Sequence, residues 1–498
     1  MVEEVFLDTA GENIISCAVF LADNIKSGEA RAAALEPIIG RFLEKGDVDS
    51  AALYADNIGD PFLRDRMLIR VVAKCVELND EEYGRQLIDA IEEDRARSTA
   101  LETFALQKAA KGDFDEAISI ADDLEHSSEA YSGIAVNYAA RGQEEKALEI
   151  LKEVDFYSSK IDALTEISAL YNRSGKTEEA VRMLERALEG CVEIEFEEDR
   201  IRAYDKIAAM LVDVERRDIA LQALEKARQL AERIDGAHRD GVLGNISVGF
   251  LAAGSVDLAD RTLDLVADKT QLASALVGFS RLYLEEGDEE EASEAIEEAY
   301  AILQSEGDKE IRSSKARFQV FNAIAVQFAR VGKFERAMEI AQSNPDPALV
   351  KSALVNISQV CVLQGEDDLA RQAIGSLTDE AERVAALLQI SDAKNSLDAK
   401  DEALEVVVEA EELADSVPQQ MLRAEILTEV AKRYEYYGDS EKGRACASHC
   451  LAAVPDILGG GNRAAALCDL SEVFDKYGYE VSADDRRVLE DVIKLTLA

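Results

Sequence analysis

The chain of 498 residues sets 101 Asp and Glu against 55 Lys and Arg, a formal net charge of −46. A body this acidic repels polyanions and anionic bilayers, so nucleic acid and membrane surfaces are set aside as partners. Hydrophobic residues at 47% supply a core, while six prolines and seven scattered cysteines argue against both a disordered linker and a disulfide frame.

In chain order, residues 1–30 are expected to form an N-terminal capping helix. The run Ile14–Ala22 is apolar apart from Ser16 and too short to cross a bilayer, and no basic-then-apolar leader precedes it, which points to a cytoplasmic protein. From 31 to 498 one pattern returns at Gly46, Asn79, Gly112, Gly142, Gly175, Glu215, Gly254, Gly287, Gly332, Gly365, Asp398, Gly438 and Gly478, mostly 33 residues apart. Five places after each comes a small residue: Ala51, Gly84, Ala117, Ala147, Ala180, Ala220, Ala259, Ala292, Ala337, Ala370, Ala403, Gly443 and Ala483. Such a period predicts stacked supersecondary units, here a continuous solenoid ending in a C-terminal capping helix.

Eight residues before each of these positions lies an apolar anchor, as at Ile134, Ile167 and Ile324. A small residue usually follows it directly, and a larger group such as Tyr138, Tyr171 or Phe328 comes three residues later. Offsets of three and four mark one face of an α-helix. The glycine then ends that helix in the left-handed conformation, which Asn79 and Asp398 tolerate best among the other residues. Acidic first turns such as Asp113-Phe114-Asp115-Glu116 open a second helix, where carboxylates favour the positive end of the helix dipole. Five longer spacings add residues at the end of the second helix, as between Ala187 and Arg202, and should lengthen hairpins without changing the buried face.

The sets Ile134-Ala135, Tyr138, Gly142, Ala147, Leu151 and Ile167-Ser168, Tyr171, Gly175, Ala180, Leu184, Ala187 resemble the tetratricopeptide repeat. The resemblance runs from about residue 30 to about residue 490. The proline that commonly closes the family's unit is nearly absent, and the period is usually one residue short. What the resemblance implies is an all-α superhelical solenoid of about thirteen helix-turn-helix repeats. It further implies a non-enzymatic scaffold that binds a partner peptide or helix in a concave groove lined by the first helices.

Positions six and three before the turn residues would face that groove. They read Val136 and Ala139, Ala209 and Val212, Val248 and Leu251, Val326 and Ala329, with Asn245, Asn322 and Asn356 nearby. The lysines of the family's clamp for a terminal carboxylate are missing, so a chaperone-tail receptor is disfavoured. The expected partner is a protein or peptide, amphipathic or basic, and the chain itself a monomer or small homo-oligomer. Two alternatives stay open: the apolar stretch is consumed by packing between neighbouring first helices, or the chain assembles end to end through its terminal units. The acidic surface fits a salty cytoplasm or a basic partner equally.

Catalytic groups are scarce. There are three histidines, no tryptophan, no phosphate loop and no HExxH pair, so no cofactor and no metal are expected. Cys446, His449 and Cys450, with Cys468, have spacings a metal could use, yet Cys450 occupies a slot that is Ala187 or Ala227 elsewhere and reads as core.

Overall fold

The computed structural model describes residue 11 and residues 13–234, 237–304 and 314–497. Among them the regular elements are 27 α-helices and three short 3-10 segments, with no strand. The helices pair as hairpins, and the chain is an all-α solenoid of tetratricopeptide-like repeats. Residues 1–10, at the start of the expected capping helix, and the handover near residue 312 lie outside the described residues.

All thirteen turn residues have positive φ, from 60° at Asp398 to 99° at Gly112. At Gly142 the chain makes a Schellman stop: Gly142 N–H donates to the Ala139 carbonyl at 2.9 Å and Gln143 N–H to the Tyr138 carbonyl at 2.9 Å. Glu215, with φ 61°, makes the same two bonds, its own N–H to Val212 at 2.9 Å and that of Arg216 to Leu211 at 2.8 Å. It does so without the freedom of glycine or the short polar side chain of Asn or Asp.

Behind each turn the anchors are buried, none more than 3% exposed. The small residue five places past the turn is buried in every hairpin but the last. Where the first helix offers serine beside its anchor, the hydroxyl can join the two helices directly: Ser168 donates to the Ala180 carbonyl at 3.0 Å and Ser280 to the Ala292 carbonyl at 2.6 Å. Ala483 departs from the expectation and is exposed. The final helix starts at Ala483 itself, whereas the others start two residues after the turn, so its buried face is Asp485, Leu489, Val492 and Ile493.

The five longer spacings appear as longer second helices. Thr177–Gly190, Arg217–Ala231, Glu289–Gln304, Lys400–Ala414 and Ser440–Ala453 have 14, 15, 16, 15 and 14 residues, against seven in Glu144–Ile150 and 10 in Glu81–Ala90.

The chain divides into two compact units. Unit 2 runs from Ala105 to Val360, and unit 1 takes in the chain up to Phe104 and from Cys361 onward. Within unit 1, Ile14–Asp23 packs on Gly460–Lys476 and Ala483–Leu497, and Gly28–Glu44 also packs on Gly460–Lys476. Asp475 accepts from Arg41 at 3.2 Å and Lys45 at 2.6 Å, and the Cys17 thiol reaches the Leu489 carbonyl at 4.0 Å. The apolar end faces that end-to-end assembly would need are therefore turned against each other. Six places before the turns at Asp398, Gly438 and Gly478 stand Asp392, Lys432 and Glu472, and these are ion-paired, Lys432 with Glu472 at 3.1 Å and Asp392 with Arg433 at 2.9 Å.

The strain at Glu215 makes a direct expectation. Glu215→Gly should raise the free energy of unfolding by about 1 kcal/mol, because a left-handed residue with a Cβ costs roughly 1–2 kcal/mol and glycine returns part of that in unfolded-state entropy. A urea titration checks it; an unchanged or lower midpoint contradicts it.

Candidate functional site

In unit 2 the first helices Glu197–Asp213, Ala237–Ala252, Lys269–Glu285, Ser314–Arg330 and Pro347–Leu363 together line a cavity of about 690 Å³. Two glycines set how closely these first helices lie to their neighbours, Gly278 against the first helix that carries Val248 and Gly249 against the second helix Arg217–Ala231 that carries Leu224. A Cβ on Gly278 would come within 2.8 Å of Val248, and one on Gly249 within 2.8 Å of Leu224, so neighbouring side chains pack directly on bare backbone. The lining combines an apolar strip of Ala208, Ala209, Val212, Val248, Ala323 and Val326 with the polar groups Asp205, Asn245, Ser274, Arg281, Gln319, Asn322, Gln327, Arg330 and Asn356.

Seven of the eleven residues expected on the groove meet here: Ala209, Val212, Asn245, Val248, Asn322, Val326 and Asn356. Ala209 and Asn245 are exposed, and the other five are half-buried. The remaining four do not join them. Ala139 at 1% and Leu251 at 5% exposure belong to the continuous core of unit 2, Ala329 is fully buried, and Val136 is half-buried against the core away from the cavity. The position three before the turn lies about one helical turn nearer the end of its helix than the position six before it. Leu251 and Ala139 are in the core there, while Val212 still reaches the cavity edge.

The polar groups are unequal in their partners. Gln327 Nε2 donates to Ser280 Oγ at 3.2 Å, and Arg281 lies 3.8 Å from Glu285 on its own helix. The side-chain oxygen of Asn322 is buried and has no hydrogen-bond partner among the described residues. Asp205 has no cation within ion-pair distance among the described residues, and burial pushes its carboxyl pKa above the ordinary value of 3.8. Desolvation disfavours the charged form, and nothing nearby compensates it.

The cysteines expected as core are buried. Cys446 donates to the Leu427 carbonyl at 3.3 Å and Cys450 to the Ala424 carbonyl at 3.3 Å, and burial pushes the Cys450 thiol up to about 12. His449 is exposed, 3.8 Å from Asp415. Among the described residues no cluster of His, Cys, Asp and Glu is placed to hold a metal ion, and no helix is long and apolar enough to cross a membrane.

A carboxylate kept in the cavity wall without a counter-ion should cost stability. The folded state binds the Asp205 proton more tightly than the unfolded chain, so the penalty is full above the raised folded pKa and vanishes as pH falls toward the unfolded value of 3.8. Asp205→Asn should accordingly melt higher than the parent at pH 8, by a margin that shrinks as the pH is lowered. A lower melting temperature for the variant at pH 8 would contradict this.

Residues 161–194 match the tetratricopeptide repeat family model, and this window holds all but the first turn of one first helix, its turn at Gly175 and the following second helix. No curated protein matches the chain. Among solved structures, similarity extends to Ton1535 from Thermococcus onnurineus NA1, at 18% identity over 64% of this chain and 97% of that one with a TM-score of 0.23. A Rap protein complexed with competence and sporulation factor is 13% identical over 82% of this chain and 99% of its own, with a TM-score of 0.29. A signal-transduction ATPase with a tetratricopeptide repeat sensor from Pyrococcus horikoshii is 19% identical over 66% of this chain and 52% of its own, with a TM-score of 0.25. Scores this low carry no argument; what the comparisons show is a tetratricopeptide repeat over residues 161–194, whose pattern of anchor, turn and small residue the other hairpins repeat along the chain.

Proposed function

We propose that the chain is a non-enzymatic binding module of a reducing, cytoplasmic compartment, and that unit 2 holds a segment of a partner protein in its cavity. The observation that carries this reading is the convergence of five consecutive first helices on one lined space of about 690 Å³, a size suited to a short stretch of chain. Its apolar strip supplies burial. Asn245, Asn322 and Asn356 supply donors and acceptors that match the alternation of a peptide main chain. The surrounding negative charge of the protein would draw a basic partner in and speed its encounter. End-to-end self-assembly ranks behind this reading because the terminal hairpins of unit 1 cover one another.

Ala209 and Ala323 are small, exposed and on the cavity lining, so bulk can be added there without entering the core. Ala323→Trp should leave helicity and melting temperature within error and weaken capture of a fluorescent hexapeptide library by about tenfold or more, since the new side chain takes the space that apolar contacts need. Undiminished library binding by a folded Ala323→Trp protein would refute the cavity as the binding site.

A further inference from the structure

Building on that reading, we propose that the occupant is an extended peptide with a single Lys or Arg side chain docked on Asp205, its main chain crossing Asn245, Asn322 and Asn356.

Asp205 lies on the first of the five helices, in the wall of the cavity, and no lysine, arginine or histidine pairs with it among the described residues. Elsewhere in unit 2 carboxylates do find cations. Asp199, on the same helix as Asp205, holds Arg202 at 2.6 Å, and Asp162 on Tyr157–Arg173 holds Lys206 at 2.8 Å. The approach to Asp205 is also kept clear. A Cβ at Gly249 would sit 3.7 Å from the Asp205 carboxylate, so the absence of a side chain there leaves the oxygen reachable from the cavity. A carboxylate that has lost water and gained no partner recovers both when an ammonium or guanidinium group arrives, and a charge-assisted hydrogen bond forms in the same step.

The rest of the lining limits where that cation can be. Arg281 and Arg330 enter the cavity from the third and fourth helices, so a uniformly basic segment would meet repulsion beyond the Asp205 end. The favoured ligand is thus polarised: a basic side chain at one end and a neutral or acidic stretch at the other. Between the two ends, the unpaired side-chain oxygen of Asn322 waits for a donor, which a peptide N–H provides.

The test uses the full chain and fluorescein-labelled hexapeptide pools that differ at one scanned position, occupied by arginine, by its neutral isostere citrulline, or by glutamate. Anisotropy should show the arginine pool binding about tenfold or more tighter than the citrulline pool at its best position, with the glutamate pool weakest. Asp205→Asn should remove the arginine preference, so that the arginine and citrulline pools bind the variant equally. Circular dichroism of the variant would confirm that it is folded. Equal binding of arginine and citrulline pools by the parent, or an arginine preference that survives Asp205→Asn, overturns the basic anchor while leaving the cavity reading in place. Absence of binding by every pool overturns both.

Discussion

Every hairpin but the last depends on two helices approaching at a residue with almost no side chain, and on the chain reversing just before that contact through a left-handed turn. The two requirements are linked. The turn residue ends the first helix with its last carbonyls satisfied and starts the second helix two residues later, which brings the fifth residue beneath the anchor of the first helix. A larger side chain would push the helices apart, and a turn of different length would rotate another residue into the contact. The final hairpin displays the second case: its last helix begins later after Gly478, Ala483 faces solvent, and Leu489 takes up the burial.

The same economy shapes the cavity. First helices of unit 2 come close to their neighbours because Gly249 and Gly278 offer backbone to Leu224 and Val248. The longer spacings extend second helices, while the five first helices that line the cavity keep 16 or 17 residues each. Polar residues on that lining carry the specificity in this account. Asp205 and Asn322 stand out because each bears a group whose ordinary partners are missing, a cost to folding that a ligand can offset.

Repeat number, hairpin character, the positive-φ turns and the buried anchors were all legible in the sequence, since each is written thirteen times and errors in one copy are corrected by the others. The cavity was legible in part. Reading the position six before the turn located Ala209, Val248 and Val326, but extending it to the position three before the turn brought in Ala139, Leu251 and Ala329, which are buried in the core. Arg281 was within reach: it occupies the six-before position of the hairpin at Gly287, where its charge hid it from a search for apolar residues. Asp205 occupies the place before Glu215 that Asn322 occupies before Gly332, so aligning that offset across hairpins would have found it. What no single hairpin encodes is which neighbours share a space, nor that the first and last hairpins of unit 1 pack together through Asp475 and Cys17.

The claim that a small residue at the helix contact governs each hairpin is tested most directly by comparing Ala147→Leu with Ala483→Leu in equilibrium urea unfolding. Ala147 is 1% exposed at the contact, whereas Ala483 holds the same place in the pattern but faces solvent. The account predicts a loss of about 1–3 kcal/mol for Ala147→Leu from overpacking and a change within about 0.5 kcal/mol for Ala483→Leu. Equal midpoints for the two variants would contradict it.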